Sequence, residues 1–302
     1  MADVPANPYK NELGVPQLRP SVAAFLDILG YKKYIEGVFR DGKGNEELAR
    51  LRNALDVAQQ FLKKETGRKN LARRYYADLQ TKEHHSLRSD FLVHSFTDDL
   101  VIGYPLVHGD AFGALVMVMF YIEYFQMELA RQGYFIREAI SIGDLYVDED
   151  IIFGQALLEA YQAEQELAVY PRVILCRSAE EPFRANPMLQ DRSAPDVLID
   201  SDGRVFIDYL NETVMIAYPD FGPYTEFLEG HKNAVVAKLK EFSNKPRIRA
   251  KYEWTATYHN AFCSSYPDLF YESHRVPATL LAHPPEAWVV AAQPPPIAEE
   301  RD

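Results

Sequence analysis

The sequence predicts an α/β (α+β) protein, a mixed sheet with helices packed over it, and three observations carry that reading. Apolar runs of strand length alternate with amphipathic runs of helix length in the order β-α-α-ββ-α-β-α-β. Residues 22–29 are apolar apart from Asp27, break at Gly30 and continue into a helix-like segment from Tyr31. Further on, two apolar stretches flank Thr97-Asp98-Asp99, the pattern of a β-hairpin with acids at its tip.

The elements follow in order. Residues 1–20 carry Pro5, Pro8, Pro16 and Pro20 and read as an irregular arm. The first strand and helix are followed by a loop at Asp41-Gly-Lys-Gly-Asn45. Over residues 46–64, Leu48, Leu51, Leu55, Ala58, Phe61 and Leu62 recur at three- and four-residue spacing, so a second amphipathic helix is expected, with Arg50, Arg52 and Lys63 on its solvated face. Residues 66–90 are polar, and the adjacent His84 and His85 read as solvated loop residues rather than metal ligands. The acidic hairpin covers residues 91–104. Residues 110–133 form a long helix whose unbroken apolar character implies burial on more than one face.

Residues 134–146 read as a strand that carries Arg137 and reaches Gly143 near its end. Gly154 then opens a helix through Leu158, Tyr161, Gln162 and Glu164, the last expected on its surface, and residues 171–176 return as a strand. A hairpin is expected over residues 196–218, with Asp202 as a turn residue and nothing more. Helices follow at residues 224–242 and 248–263, the second rich in aromatics. The chain then turns proline-rich from Pro277, and no internal repeat is present.

At 302 residues with 47% hydrophobic side chains, the chain has enough apolar material for a full core, which excludes wholesale disorder. Its formal charge is −12 with acids spread throughout, which argues against nucleic acid as a partner. A small triphosphate is still allowed, because a local basic pocket with metal ions outweighs a global field. Cys176 and Cys263 have no metal-ligand spacing and suggest a reducing compartment, so cytoplasm is expected. No leader is expected in the polar opening residues, and no membrane span either: the longest apolar run, residues 111–122, is too short and is followed by Glu123.

A carboxylate at the end of a buried strand is unfavourable unless a cation or hydrogen bonds satisfy it, so Asp27 needs a partner. If the hairpin lies beside the first strand, Asp27, Asp98 and Asp99 converge and can hold hard divalent cations, as two-metal phosphoryl-transfer sites do. Singly, Asp27 also reads as a helix cap and Asp98-Asp99 as an exposed turn.

Phe25-Leu-Asp27-Ile-Leu-Gly30-Tyr31 resembles the first metal-binding strand of class III nucleotide cyclases, Phe-x-Asp-Ile-x-Gly-Phe. Phe96-Thr97-Asp98-Asp99-Leu-Val-Ile resembles their hairpin with the second metal aspartate. Arg137-Glu-Ala-Ile-Ser-Ile-Gly143 followed by Phe153-Gly154 resembles their later strand and the glycine before the last active-site helix. The match runs over residues 22–176, and within the superfamily it is most similar to the stand-alone pyrimidine cyclases of Pycsar anti-phage systems.

That resemblance implies a class III cyclase-like palm domain over residues 21–220, an arm at 1–20, a C-terminal helical extension at 221–276 and a proline-rich tail at 277–302. It implies a homodimer with shared active sites and a nucleoside triphosphate substrate, with UTP preferred over CTP. The product is a 3′,5′-cyclic nucleotide read by a separate effector protein. It further implies two divalent cations, Mn²⁺ or Mg²⁺, on Asp27, the Ile28 carbonyl and Asp98, with Asp99 the competing second ligand. Phosphate is implied to sit on the backbone at Leu29, Gly30 and Tyr31.

Two departures from the family stand out. The lysine and aspartate that read a purine align with His94 and Ile151, which removes the expected purine discrimination. The asparagine and arginine of the last helix align with Leu158 and Gln162, leaving Arg137, Lys32 and Lys33 as candidate replacement cations. The rival expectation is a nucleotide-sensing module that has lost catalysis; the Gly-Gly-Asp/Glu-Glu-Phe signature of diguanylate cyclases is absent.

Overall fold

The computed structural model describes residues 7–63, 92–96, 99–106, 109–185, 197–215, 225–281 and 289–290. Its centre is the expected mixed sheet. Strand β1 (Arg19–Ile28) lies between two antiparallel neighbours, β3 (Asp99–Pro105) and β4 (Ile136–Val147). Beyond β3 comes β2 (Leu92–Phe96), and a short β5 (Ile152–Gly154) folds back on the end of β4. On the far side of β4 follow β6 (Val173–Leu175), then β8 (Val205–Ile207), β7 (Val197–Ile199) and β9 (Val289–Val290). The β4–β6 pair is parallel, and parallel neighbours need a crossover, which the helix Gln155–Glu166 supplies.

Seven helices dress the sheet among the described residues: α1 (Tyr31–Arg40), α2 (Gly44–Lys63), α3 (Ala111–Arg131), α4 (Gln155–Glu166), α5 (Arg177–Ala185), α6 (Thr225–Glu241) and α7 (Pro246–Ser265). A single helical turn, Glu212–Met215, is left unlabelled. β1 reads as a continuous apolar run because both of its faces are covered. Val22, Ala24, Leu26 and Ile28 join the core beneath α2, α3 and α5. On the opposite face Ala23 meets Ala156, and Phe25 meets Ala160, both from α4. Phe135, just before β4, and Ala139 of β4 pack with Tyr252 and Trp254 of α7. Helices α4 and α7 therefore share the face that bears Asp27.

Several local expectations change. β1 begins at Arg19, and the arm before it is anchored: Tyr9 is fully buried and its hydroxyl lies 3.0 Å from Ser21 Oγ. β5 and α5 were not legible, since three residues are too few to show an alternation and Pro182 interrupts the helical pattern of α5. Asp202 is more than a turn residue, because it pairs with the buried Arg172. Arg50 is not simply solvated: it donates to the Gln132 carbonyl at 2.7 Å and lies over the Tyr134 ring. The long helix α3, capped by Asp110 accepting from the Gly113 N–H at 2.9 Å, is the one helix among the described residues long and apolar enough to cross a bilayer. It is packed in the core and buries Glu123, Gln126 and Glu128 as well. The polar segment with His84 and His85, and the tail beyond 290, lie outside the described residues.

One buried group has a measurable consequence. Glu138 faces α3 with no solvent exposure, and neither carboxyl oxygen has a hydrogen-bond partner among the described residues. Burial holds its pKa well above the ordinary 4.5. The unfolded chain ionises this group once pH exceeds that ordinary value, while the folded chain keeps it protonated, so stability falls as pH rises until the folded pKa is reached. Glu138→Gln keeps the shape and removes the titration. Urea unfolding at pH 5 and pH 7 should show the variant gaining about 1–3 kcal/mol over wild type at pH 7 and less at pH 5. An equal difference at both pH values would show that Glu138 is ionised in the fold.

Candidate active site

Asp27 is the penultimate residue of β1, and the register fixes what surrounds it. Asp99 lies directly opposite on β3, and Arg137 directly opposite on β4. The Arg137 guanidinium grips the carboxylate twice, through Nε at 3.2 Å and through Nη2, both to Asp27 Oδ2. Nη2 also lies 2.7 Å from Glu164 Oε1. Side-chain exposure falls from 19% at Arg137 and 14% at Asp27 to 0% at Glu164, so the cluster is closed at Glu164 and reaches solvent at Arg137 and Asp27. The partner that Asp27 needs is thus a cation on the neighbouring strand.

Glu164 corrects an expectation: it was placed on the surface of α4 and is fully buried against the sheet. A signal was available, since Ala156, Ala160, Ala163 and Glu164 recur at four, three and one residues and are the buried side chains of α4. Three small residues bring the helix close to the sheet, and the fourth position of that stripe delivers a carboxylate to Arg137. Lys251 of α7 is the second missed residue. Burial and the Arg137 guanidinium lower its pKa, whereas Asp27 and Glu164 raise it.

After Ile28 the chain turns at Gly30, whose φ of 79° and ψ of 13° lie in the left-handed region that glycine occupies without penalty. The Leu29 N–H donates to the Phe135 carbonyl at 2.7 Å, tying the turn to the start of β4. Gly30, at the cap of α1, makes no side-chain cap hydrogen bond. Leu29 and Tyr31 are partly buried and anchor the turn on either side, Leu29 against the α7 aromatic cluster and Tyr31 against the main core. Lys32 and Lys33 are exposed on α1. A separate cavity of about 480 Å³ lies behind the turn, lined by Ile28, Leu29, Tyr31 and Tyr252 among others, and Asp27, Arg137 and Glu164 do not line it.

The remaining sequence candidates are dispersed. Asp98 lies outside the described residues. His94 is placed by register opposite Val101, whose other partner, Phe25, is two residues from Asp27. Ile151, 51% exposed, sits in the turn between β4 and β5 at the far end of β4 from Arg137, roughly 30 Å along the strand. One subunit does not bring Ile151 to Asp27. Leu158 and Gln162 point outward on α4, with Leu158 61% exposed, and Ile151, Phe153 and Tyr161 add exposed apolar surface on the same β5–α4 stretch.

The donors present suit a hard divalent cation: a carboxylate and a backbone carbonyl at a strand end, with a second carboxylate residue directly across the ladder. No group of three or more metal-ligating side chains occurs among the described residues, so a complete site needs Asp98, Asp99 or the substrate's own oxygens.

No family model and no curated protein matches this sequence. Among solved structures, the chain is similar to the guanylyl cyclase Cya2, at 10% identity and a TM-score of 0.35 over 55% of this chain and 79% of that one. It is similar also to a class III adenylyl cyclase-like ATP-binding protein from Pseudomonas aeruginosa, at 10% identity and a TM-score of 0.35 over 62% of this chain and 38% of that one. Likenesses this remote assign neither fold nor activity to the chain.

Proposed function

We propose that this protein is a nucleotide cyclase, a phosphorus–oxygen lyase that converts UTP to 3′,5′-cyclic UMP and pyrophosphate, with CTP and then purine triphosphates as the alternative substrates. The observation that carries the reading is the placement of Asp27: at the end of β1, across the ladder from Asp99 on one side and Arg137 on the other, one step before the Ile28 carbonyl and the Gly30 turn. The positive end of α1, directly after the Gly30 turn, gives phosphate oxygens a place to dock. The preference for a pyrimidine rests on His94 and Ile151 standing where purine readers have a lysine and an aspartate.

In this mechanism the triphosphate lies along the Leu29–Gly30–Tyr31 backbone and the ribose 3′-oxygen attacks the α-phosphorus. The bond from that phosphorus to the pyrophosphate oxygen breaks, the electron pair leaves with pyrophosphate, and the 3′-hydroxyl proton passes to solvent. Two divalent cations, Mn²⁺ or Mg²⁺, on Asp27, the Ile28 carbonyl and Asp98 or Asp99 would lower the pKa of the 3′-hydroxyl and neutralise the triphosphate. Asp27 is held at its strand end by Arg137, and Glu164 retains the guanidinium when Asp27 turns to its other ligands.

The active species in this reading is a homodimer with shared sites. The separation of Ile151 from Asp27 within one subunit supports it, since a base reader at that position has to come from a second copy. The exposed Phe153, Leu158 and Tyr161 give such a copy an apolar face to cover. The product is read by a separate effector protein in anti-phage defence, a role that rests on the sequence resemblance alone. A second reading, a nucleotide-sensing module without catalysis, is favoured by one observation: on α4 the exposed Leu158 has no amide and the exposed Gln162 has no positive charge.

Incubating the protein separately with ATP, GTP, CTP and UTP in Mn²⁺ or Mg²⁺, followed by mass spectrometry of the products, separates these readings. Cyclic UMP is expected; cyclic CMP moves the base preference. Cyclic AMP or GMP would overturn the reading of His94 and Ile151. Triphosphate binding without pyrophosphate release would establish the sensing module.

A further inference from the structure

The charges around Asp27 leave a gap that the C-terminal helix fills. A triphosphate brings several negative charges, and the leaving pyrophosphate gains one more as the ring closes. Arg137 is already held by two carboxylates, Asp27 and Glu164, and α4 presents Gln162 where a cation would serve. Lys32 and Lys33 stand exposed on α1.

Lys251 differs from all of these. It is half-buried, and although its backbone carbonyl accepts from the Thr255 hydroxyl at 3.0 Å, its ammonium makes no hydrogen bond or ion pair among the described residues. Its place is fixed by rigid packing. The ring of the next residue, Tyr252, meets Phe135 edge-on at 5.4 Å, and Phe135 is two residues before Arg137. The same Phe135 accepts the Leu29 N–H, so one contact ties α7 both to the phosphate-docking turn and to the strand that carries Arg137. Trp254 holds the next turn of the helix, with its ring 5.5 Å from Phe206 and its Nε1 donating to Asp200 at 2.9 Å.

We propose that Lys251 is a phosphate-binding cation of this site, carried into it by the C-terminal helical extension; the proposal rests on the nucleotide cyclase reading above. An ammonium partly withdrawn from water, with acids nearby but none in contact, gains a charge-assisted hydrogen bond when a phosphate oxygen arrives. Burial and Arg137 pull its pKa down while Asp27 and Glu164 hold it up, in keeping with a cation that lacks a direct partner until then. Lys251 stays protonated throughout; its three N–H donors bind the phosphoryl oxygens and the departing pyrophosphate, and it exchanges no proton with substrate.

The test is run on the full chain. Calorimetric binding of inorganic tripolyphosphate in Mg²⁺ is measured for wild type, Lys251→Gln, Lys251→Met and Lys251→Arg, beside the four-nucleotide product assay. Loss of one charge-assisted contact should weaken tripolyphosphate binding about tenfold or more in Lys251→Gln, with Lys251→Arg restoring most of it. Turnover in Lys251→Gln should fall about a hundredfold, mostly in kcat, because the charge is needed most as pyrophosphate leaves. Lys251→Met carries the same test if the Gln variant melts at a clearly lower temperature. Unchanged binding and turnover in both neutral variants would overturn the proposal while leaving the cyclase reading intact. If wild type makes no cyclic nucleotide yet loses tripolyphosphate binding on substitution, the cyclase reading falls and the phosphate site stands. Absence of tripolyphosphate binding by wild type would overturn the phosphate site.

Discussion

Asp27→Asn is expected to lower cyclic nucleotide formation by about a thousandfold or more while the protein stays folded. The substitution keeps the shape of the side chain and an oxygen for the Arg137 Nε donor, now 3.2 Å from Asp27 Oδ2, and Arg137 keeps its second acid in Glu164. The lost stability should therefore be small, about 1 kcal/mol. What disappears is the negative charge that the proposed mechanism uses to hold divalent cations at the end of β1. Removing a single group that stabilises developing charge in a transition state commonly costs a hundred- to a thousandfold in rate, and a metal ligand should do no less. The checks are initial rates by mass spectrometry, a thermal melt, and a Mn²⁺ titration in which the variant binds more weakly than wild type. Full activity in the variant would refute the two-metal mechanism at this site.

The largest effect on stability is expected at Arg172. Its side chain has no solvent exposure and forms ion pairs with Asp200, also fully buried, and with Asp202 at the β7–β8 turn. Trp254 Nε1 donates to the same Asp200 oxygen at 2.9 Å, and the guanidinium lies between 5.5 and 6.0 Å from the rings of Tyr170, Trp254 and Phe206. The cluster joins the end of β6 to the β7–β8 hairpin and to α7. Arg172→Met leaves a buried carboxylate with neutral donors only, Trp254 Nε1 and the N–H and hydroxyl of Ser201, and breaking a buried pair from one side costs about 3–5 kcal/mol. Denaturant unfolding should record that loss. The double variant Arg172→Met with Asp200→Asn should recover part of it, because no uncompensated charge then remains. A loss below about 1 kcal/mol in the single variant would mean that water reaches Asp200 and solvates it.

Much of the element order was legible because burial leaves a local imprint. A strand covered on both faces must be apolar at every position, so β1 declared itself as a run broken by one acid, and the acidic hairpin emerged from two apolar stretches around a turn. Helix α3 was legible for the same reason, being apolar all round. The elements that escaped are short or interrupted, such as β5 with three residues and α5 with its internal proline. Too few positions exist there for a period to show.

The site divides along the same line. The sequence by itself determined that Asp27 closes a buried strand, that Gly30 follows it as a turn, and that some cation had to meet the carboxylate, since a charge in that position is unstable alone. Which cation it was, and what else gathers around it, was decided by the tertiary structure. Arg137 reaches Asp27 because β4 pairs with β1 in one particular register, and a slip of one residue would point it at the opposite face. Glu164 reaches Arg137 through an alanine stripe that sets how closely α4 approaches the sheet. Lys251 stands 114 residues after Arg137, on a helix located by aromatic contacts with Phe135 and Phe206. Local patterns record whether a residue is buried, because burial acts on each position separately. They carry no record of which distant charges share a site, because that depends on how whole elements pack against one another.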